Sequence, residues 1–455
     1  MVTSGTWSSI GAAIESEEST FRTRQARSLE LTREAREYLA GGVASSRQST
    51  APHPFWVDRG VGSRIWDQDG NEFVDLHGGH GAMLVGHSHP AIVRAGAERL
   101  GLGTHFGQPV PDAIVVARNL SERFGLPQWR FNSSGTEATH DAVRLMRAIT
   151  GRRILLKTEG GYHGHHESVL VSLSNSGDEL GPVSRPASPL SGAGVLREFA
   201  DWTRVVPWND LGVLESVLEE CGDDVAGIIV EPILMNFGMV RPDPGYLEGV
   251  RALTRRYGCL LAYDEVKSGL VVDPGGATAL LGVRPDIVCL AKAFGGGIAC
   301  GAIGGTSEVG EFIASGKYLQ IGTFNGNPLH MAMSRAALTE VLTPQAYATT
   351  YARTESLART LGELLSASGR PGYVDSIGAK GMITFAPHRV ATYRDFLSVN
   401  QEIGRLHWLF QHNRGVFMPP WGAGQPWLVS VQHTDEDLDL VAGNFEELVA
   451  RMPKH

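Results

Sequence analysis

Three short apolar runs in the middle of the chain stop on, or just short of, an ionisable residue: Gly227 to Glu231, Leu260 to Asp264, and Ile287 to Leu290 with Lys292 two positions on. Runs this short and this apolar suit strands buried on both faces. Helical patterns over Glu137 to Thr150 and Tyr246 to Arg256 fall before and between them. That alternation predicts an α/β fold built on a mostly parallel sheet between layers of helices. Further strands are expected at Arg153 to Lys157, Val169 to Leu173 and Ala302 to Gly304. Ligands of such sheets gather beyond the carboxyl ends of the strands, so Glu231, Asp264 and Lys292 are expected at one edge.

A lysine followed by Gly295-Gly296-Gly297 is, by itself, a solvated loop residue. Asp264 gives it a partner. A carboxylate at a strand end can keep a ring nitrogen protonated, and a desolvated lysine there can act as nucleophile or base. Val266 faces the same side of an extended strand as Asp264 and could press on a flat ring. Ser133-Ser134-Gly135-Thr136-Glu137 opens a helix, and its N–H groups and dipole suit a phosphate; Ser134 with Glu137 equally has the spacing of a capping box. Tyr162-His163-Gly164-His165-His166 offers a stacking ring or, with His77, His80, His87 and His89, a metal site. The metal reading is disfavoured because no acidic residue or cysteine completes a ligand set.

Domain organisation follows from changes of pattern. Residues 1–20 read as a loose arm, 21–90 as a helix followed by a small antiparallel sheet turning at Asp69-Gly70, 91–328 as the large domain, and 329–455 as a second α+β portion. Residues 174–194, rich in Ser, Gly and Pro, read as a surface insertion or an active-site lid. A net charge of -9 argues against nucleic acid. Cys221, Cys259, Cys289 and Cys300 lack CxxC spacing and read as reduced thiols. With neither a signal-peptide pattern nor a run long enough to span a bilayer, a soluble, cytoplasmic protein is expected.

From about Leu39 to Val449 the chain resembles the class III, fold type I pyridoxal-phosphate aminotransferases, and especially the branch containing glutamate-1-semialdehyde aminomutase. The residues that carry the likeness are Gly41-Gly42-Val43, Trp66-Asp67 with Asp69-Gly70, Gly86-His87 with His89-Pro90, Ser134-Gly135-Thr136-Glu137-Ala138, Tyr162-His163-Gly164, Glu231-Pro232, Asp264-Glu265-Val266, Lys292 with its glycines, Gly322-Thr323 with Gly326-Asn327-Pro328, and Ser430 with His433. The resemblance implies a seven-stranded large domain and a small domain made from both termini. It implies that Lys292 forms a Schiff base with pyridoxal 5'-phosphate (PLP) and moves the proton, and that Asp264 pairs with the ring nitrogen. Val266 and Tyr162 would sandwich the ring, and Ser134, Gly135 and Thr136 would hold the phosphate. Thr323 would reach that phosphate from a neighbouring subunit, which implies a homodimer. Glu231 would stand behind these groups, and Asn236 near the phenolic oxygen.

For the substrate, Arg47 resembles the arginine that grips a carboxylate. In the aminomutases it falls one residue later, where this chain has Gln48, and His80 stands where they have a tryptophan. Gly78-Gly79-His80-Gly81 looks more like related amino-acid transaminases, and Lys267 is a further departure, expected in a surface salt bridge. The expected activity is transamination between an amino donor and an oxo acid through a pyridoxamine-phosphate form of the cofactor; the alternative is an intramolecular 2,1-aminomutase. A chain that keeps the fold without the chemistry is opposed by the joint presence of Lys292 and Asp264.

Overall fold

The structure is a computed structural model that describes residues 7–420 and 425–453. They form two compact units. One comprises Pro90–Tyr347 and Val390–Ser398; the other takes in the chain up to His89, Ala348–Arg389, and the chain from Val399 onward.

The first of these is organised by a seven-stranded sheet. Its strands are β1 (Gln128–Asn132), β2 (Ile154–Thr158), β3 (Thr203–Val206), β4 (Val225–Val230), β5 (Leu260–Asp264), β6 (Ile287–Ala291) and β7 (Gly301–Gly305), in spatial order β1-β7-β6-β5-β4-β2-β3. Only β7 is antiparallel to its neighbours. Every residue of β4 and β6 is buried, which is why these strands read as uninterrupted apolar runs. The helix Gly135–Thr150 turns Ala138, Ala142, Leu145 and Met146 onto the sheet, in a core shared with Ile229, Ala262 and Ile287. The mixed α/β fold with a seven-stranded, mostly parallel sheet is thus the expected one.

One expected strand fails, and two strands of the sheet, Gln128–Asn132 and Thr203–Val206, were not expected. Val169 to Leu173 is not a strand: Glu167–Val169 is a 3-10 turn, Ser172 has φ 54°, and Val171 makes a single bridge to Leu190. The edge position belongs to Thr203–Val206, a four-residue strand whose Arg204 masks its apolar pattern.

In the other unit, Val57–Val61, Arg64–Asp67 and Glu72–Asp75 form an antiparallel meander that Val416–Phe417 extends in parallel. A second sheet joins Tyr373–Ile377, Lys380–Thr384 and Trp427–Leu428. Phe21, Trp408, Trp427 and Phe445 centre this core. The expected amino-terminal arm is corrected. Residues 1–6 lie outside the described residues, but Ile10–Arg24 is a helix capped by Ser9, whose Oγ accepts the Ala12 N–H at 3.1 Å. Its inward face is Ala13, Glu17 and Phe21. A buried glutamate breaks that stripe in the sequence; in the fold its carboxylate accepts from Asn413 Nδ2 at 2.7 Å and Arg414 Nη1 at 3.2 Å.

A buried lysine lies inside the large sheet. Lys157 on β2 is fully buried and donates to the Val171 carbonyl at 2.6 Å. Burial lowers its pKa from 10.5 to about 7, against the pull of Glu231 and Glu159. At a pH between those two values the unfolded chain holds a proton that the folded chain has released, so stability rises with pH across that window; below it the full cost of the buried charge remains. We expect Lys157→Met to flatten that rise, worth about 1.4 kcal/mol per pH unit, in urea melts at about pH 7.5 and about pH 9.5.

Candidate active site

Strand β5 ends on Asp264, which is 5% exposed. A buried carboxylate needs partners. His163 Nδ1 donates to its Oδ2 at 2.8 Å, and the Val266 N–H to its Oδ1 at 3.0 Å. Alternation along the chain then turns Glu265 the other way, where Ser268, Ala277 and Thr278 supply four donors to its carboxylate. Glu265 is structural: it ties β5 to the start of the helix Gly276–Leu281.

Next in the sheet, β4 delivers Glu231, 3% exposed, which accepts from the Tyr162 N–H at 3.3 Å and the Met235 N–H at 3.0 Å. Burial raises its carboxyl pKa; the His163 charge opposes the rise and Asp264 adds to it. Asn236 Nδ2 donates to the Tyr162 carbonyl at 3.5 Å, and Lys267 Nζ to the Met235 carbonyl at 3.1 Å. Tyr162, Glu231 and Asn236 are therefore one hydrogen-bonded set, joined to the His163–Asp264 pair through the Tyr162–His163 peptide bond.

On the other side of β5, β6 pairs Cys289 with Asp264 and ends at Ala291. Lys292 follows at φ 55°, left-handed in a residue with a side chain, and opens the 3-10 turn Lys292–Gly295. Such a conformation costs about 1 kcal/mol or more and persists only where its surroundings impose it. Lys292 is half-buried, and its carbonyl faces Cys300 Sγ at 3.6 Å.

The helix Gly135–Thr150 brings its amino end to the same edge. Ser134 Oγ accepts the Glu137 N–H at 3.2 Å and donates to Glu137 Oε2 at 3.3 Å, while the Ser133 N–H donates to that oxygen at 2.7 Å. Ser134 thus caps the helix, but the Glu137 carboxylate reaches the Ser133 N–H where the expected capping box needs the Ser134 N–H. Gly135 makes a close approach: a Cβ there would lie 3.0 Å from both Val266 methyls and 3.4 Å from the Ala291 Cβ. Gly164 is likewise pressed on Thr136, where a Cβ would come within 2.8 Å of Oγ1. These contacts put the helix start, Val266 and the end of β6 against one another.

The histidine run divides among separate tasks. His163 serves Asp264, His165 Nδ1 meets Thr136 Oγ1 at 3.1 Å, and His166 stacks on His140 with ring centres 5.1 Å apart. No cluster of three or more metal-ligating side chains occurs among the described residues. Thr323 is exposed in the segment between Ser307–Ala314 and Pro328–Ala336. Arg47 and His80 belong to the other unit. Arg47 is exposed in the turn Ser46–Gln48; His80, at φ 60°, has Nδ1 at 3.1 Å from His77 Nε2. The sequence reading assigned His163 no task; its signal was its place directly after Tyr162, in a turn leaving β2.

Residues 44–432 match the family Aminotransferase class-III. A glutamate-1-semialdehyde 2,1-aminomutase of Aquifex aeolicus (strain VF5) is 35% identical over 427 residues, 93% of this chain and 99% of that protein. Among solved structures, an omega-transaminase from Sphaerobacter thermophilus superposes with a TM-score of 0.88 at 32% identity, over 93% of this chain and 97% of that one. A glutamate-1-semialdehyde-aminomutase from Pseudomonas aeruginosa PAO1, solved in complex with PMP, gives 0.89 at 28% identity, over 98% of each. The chain belongs to the class III aminotransferases, a family of PLP-dependent enzymes.

The donors at the sheet edge fit that cofactor: hydroxyls and N–H groups at a helix start for a phosphate, a histidine-held carboxylate for a ring nitrogen, and a lysine on the adjoining strand end. His163 Nε2 is buried and has no hydrogen-bond partner among the described residues, so Nδ1 alone anchors the ring to Asp264. His163→Ala is expected to weaken PLP binding about ten-fold or more, read by absorbance titration, because it strands a buried carboxylate; His163→Asn, which keeps a donor, should recover part of the loss.

Proposed function

We propose that this protein moves an amino group on a small amino-bearing carboxylic acid. The observation that carries this reading is Asp264, buried, held by His163, and adjacent in the sheet to the strand that ends at Lys292. Bound PLP supplies an electron sink for the carbon that loses its proton. Asp264 would hold the ring nitrogen, with His163 fixing the orientation of its carboxylate. Tyr162 and Val266 would hold the ring and Asn236 its phenolic oxygen. Ser134, Gly135 and Thr136 would bind the phosphate at the helix start, with Glu231 fixing the turns that carry Tyr162 and Asn236. Lys292 Nζ would hold the cofactor and move the proton at substrate carbon. For the substrate carboxylate the proposed residue is Arg47, with His80 as a second substrate residue.

The relatives named glutamate-1-semialdehyde 2,1-aminomutase favour an intramolecular course, in which nitrogen leaves one carbon and returns to its neighbour. A second reading, transamination between two molecules, is supported by Gln48 and His80 at the two departures and by the likeness to an omega-transaminase. Supplying the holoenzyme with glutamate-1-semialdehyde and no oxo acid separates the two. Isomer formed with no co-substrate consumed is the expected result; conversion only with matched loss of an oxo acid assigns the transaminase. Lys292→Ala should abolish both, and retained turnover would refute its role.

A homodimer is the proposed assembly, with Thr323 acting at the partner subunit's phosphate. Thr323 stands in sequence among Leu319, Ile321 and Phe324, which are 65%, 83% and 60% exposed, a run of large apolar side chains that suits a partner surface. We expect Lys292→Ala and Thr323→Val subunits, each impaired alone, to regain activity when mixed, since one site of the mixed dimer then has both native residues. Absence of recovery would place Thr323 at its own subunit's site.

A further inference from the structure

The segment Val390–Ser398 is flanked on both sides by chain of the other unit, yet it packs with the unit that holds the seven-stranded sheet. Its short helix Tyr393–Phe396 is fixed by a capping box between Thr392 and Asp395. Three backbones converge on it. Arg394 reaches the buried Glu159, at the end of β2, through two bonds: Nε to Oε2 at 3.1 Å and Nη2 to Oε1 at 2.7 Å. The same guanidinium donates to the insertion, Nη1 to the Gly181 carbonyl at 2.8 Å and Nη2 to the Leu180 carbonyl at 3.1 Å. Tyr393 Oη donates to the carbonyls of Asn175 at 2.9 Å and Leu173 at 3.3 Å. Its ring lies so close to the turn after β2 that a Cβ on Gly160 would come within 2.2 Å of it. Phe237, directly after Asn236, packs its ring against Tyr393 and Phe396 at 5.1 and 5.9 Å between centres.

We propose that Tyr393 and Arg394 are positioning residues for the cofactor site: they bind the turn carrying Tyr162 and His163, the turn carrying Asn236, and the insertion 174–194 into one block. The physical ground is the arginine's fork, which satisfies a buried carboxylate and two loop carbonyls at once. A loop held this way is a fixed wall, where its Ser-, Gly- and Pro-rich composition alone would make it a mobile one. Glu159 is three residues from Tyr162, so loosening the fork frees the turn that presents the ring-facing tyrosine. This inference builds on the PLP site described above.

The test compares full-length wild type, Arg394→Met, Arg394→Lys and Glu159→Gln, each with and without PLP, by hydrogen exchange and by visible circular dichroism of bound PLP. Arg394→Met is expected to speed exchange about ten-fold or more in peptides covering 173–181 and 159–164, leaving the helix Gly135–Thr150 unchanged, and to diminish the dichroic band. Arg394→Lys, which retains charge without the fork, should fall between, and Glu159→Gln should release both peptides together. Unchanged exchange in 173–181, or acceleration spread evenly over the chain, would overturn the proposal. If wild type binds no PLP, the cofactor reading fails, while the exchange data still judge the clasp.

Discussion

The hydrogen bond from His163 to Asp264 is the contact on which the rest of the site depends. Strand β5 carries an acid into a region closed to water, where an unpartnered carboxylate would cost several kcal/mol. Meeting that demand fixes the turn after β2, because His163 must arrive from it, and Tyr162 comes along as the preceding residue. Glu231 at the end of β4 then accepts the Tyr162 N–H and the Met235 N–H, which fixes the turn of Asn236. One electrostatic requirement at the centre of the sheet thereby places side chains from three connections.

The helix start shows how a structural motif and a proposed binding site can share residues. Ser134 caps the helix through its hydroxyl while the Glu137 carboxylate takes the Ser133 N–H, so the cap is formed without the full box that the spacing predicts. It does not compete with anion binding. A cap fixes the direction of the first turn, and a fixed first turn aims the N–H groups and the positive end of the dipole at one point. Gly135, pressed on Val266, brings that point to the ends of β5 and β6.

Legibility in the sequence followed the chemistry of burial. Strands β4, β5 and β6 could be read because both their faces are covered, and the residues closing them stood out as charges after apolar runs. Thr203–Val206 escaped because an edge strand tolerates Arg204, and Val169 to Leu173 misled because apolar residues there pack as a turn under the insertion. Helix Ile10–Arg24 was hidden by Glu17, a charge whose partners, Asn413 and Arg414, lie almost four hundred positions away. His163 was visible as part of a motif, but its task was not: a partner 101 positions away in the chain is a fact of the fold. The clasp at Tyr393 and Arg394 was illegible for the same reason.

Intramolecular and intermolecular amino transfer need the same lysine, aspartate and phosphate site, so none of these residues separates them. What differs is the fate of the oxo compound formed halfway. If it stays until nitrogen returns, the product is an isomer; if it leaves and another oxo acid enters, the result is transamination. The contacts through Arg394 bear on what both courses share. Residues 180 and 181 part from the end of β2 only when two charge-assisted bonds and two carbonyl contacts break together. Segment Val390–Ser398 therefore steadies the backbone that presents Tyr162 and His163, whichever course the amino group takes.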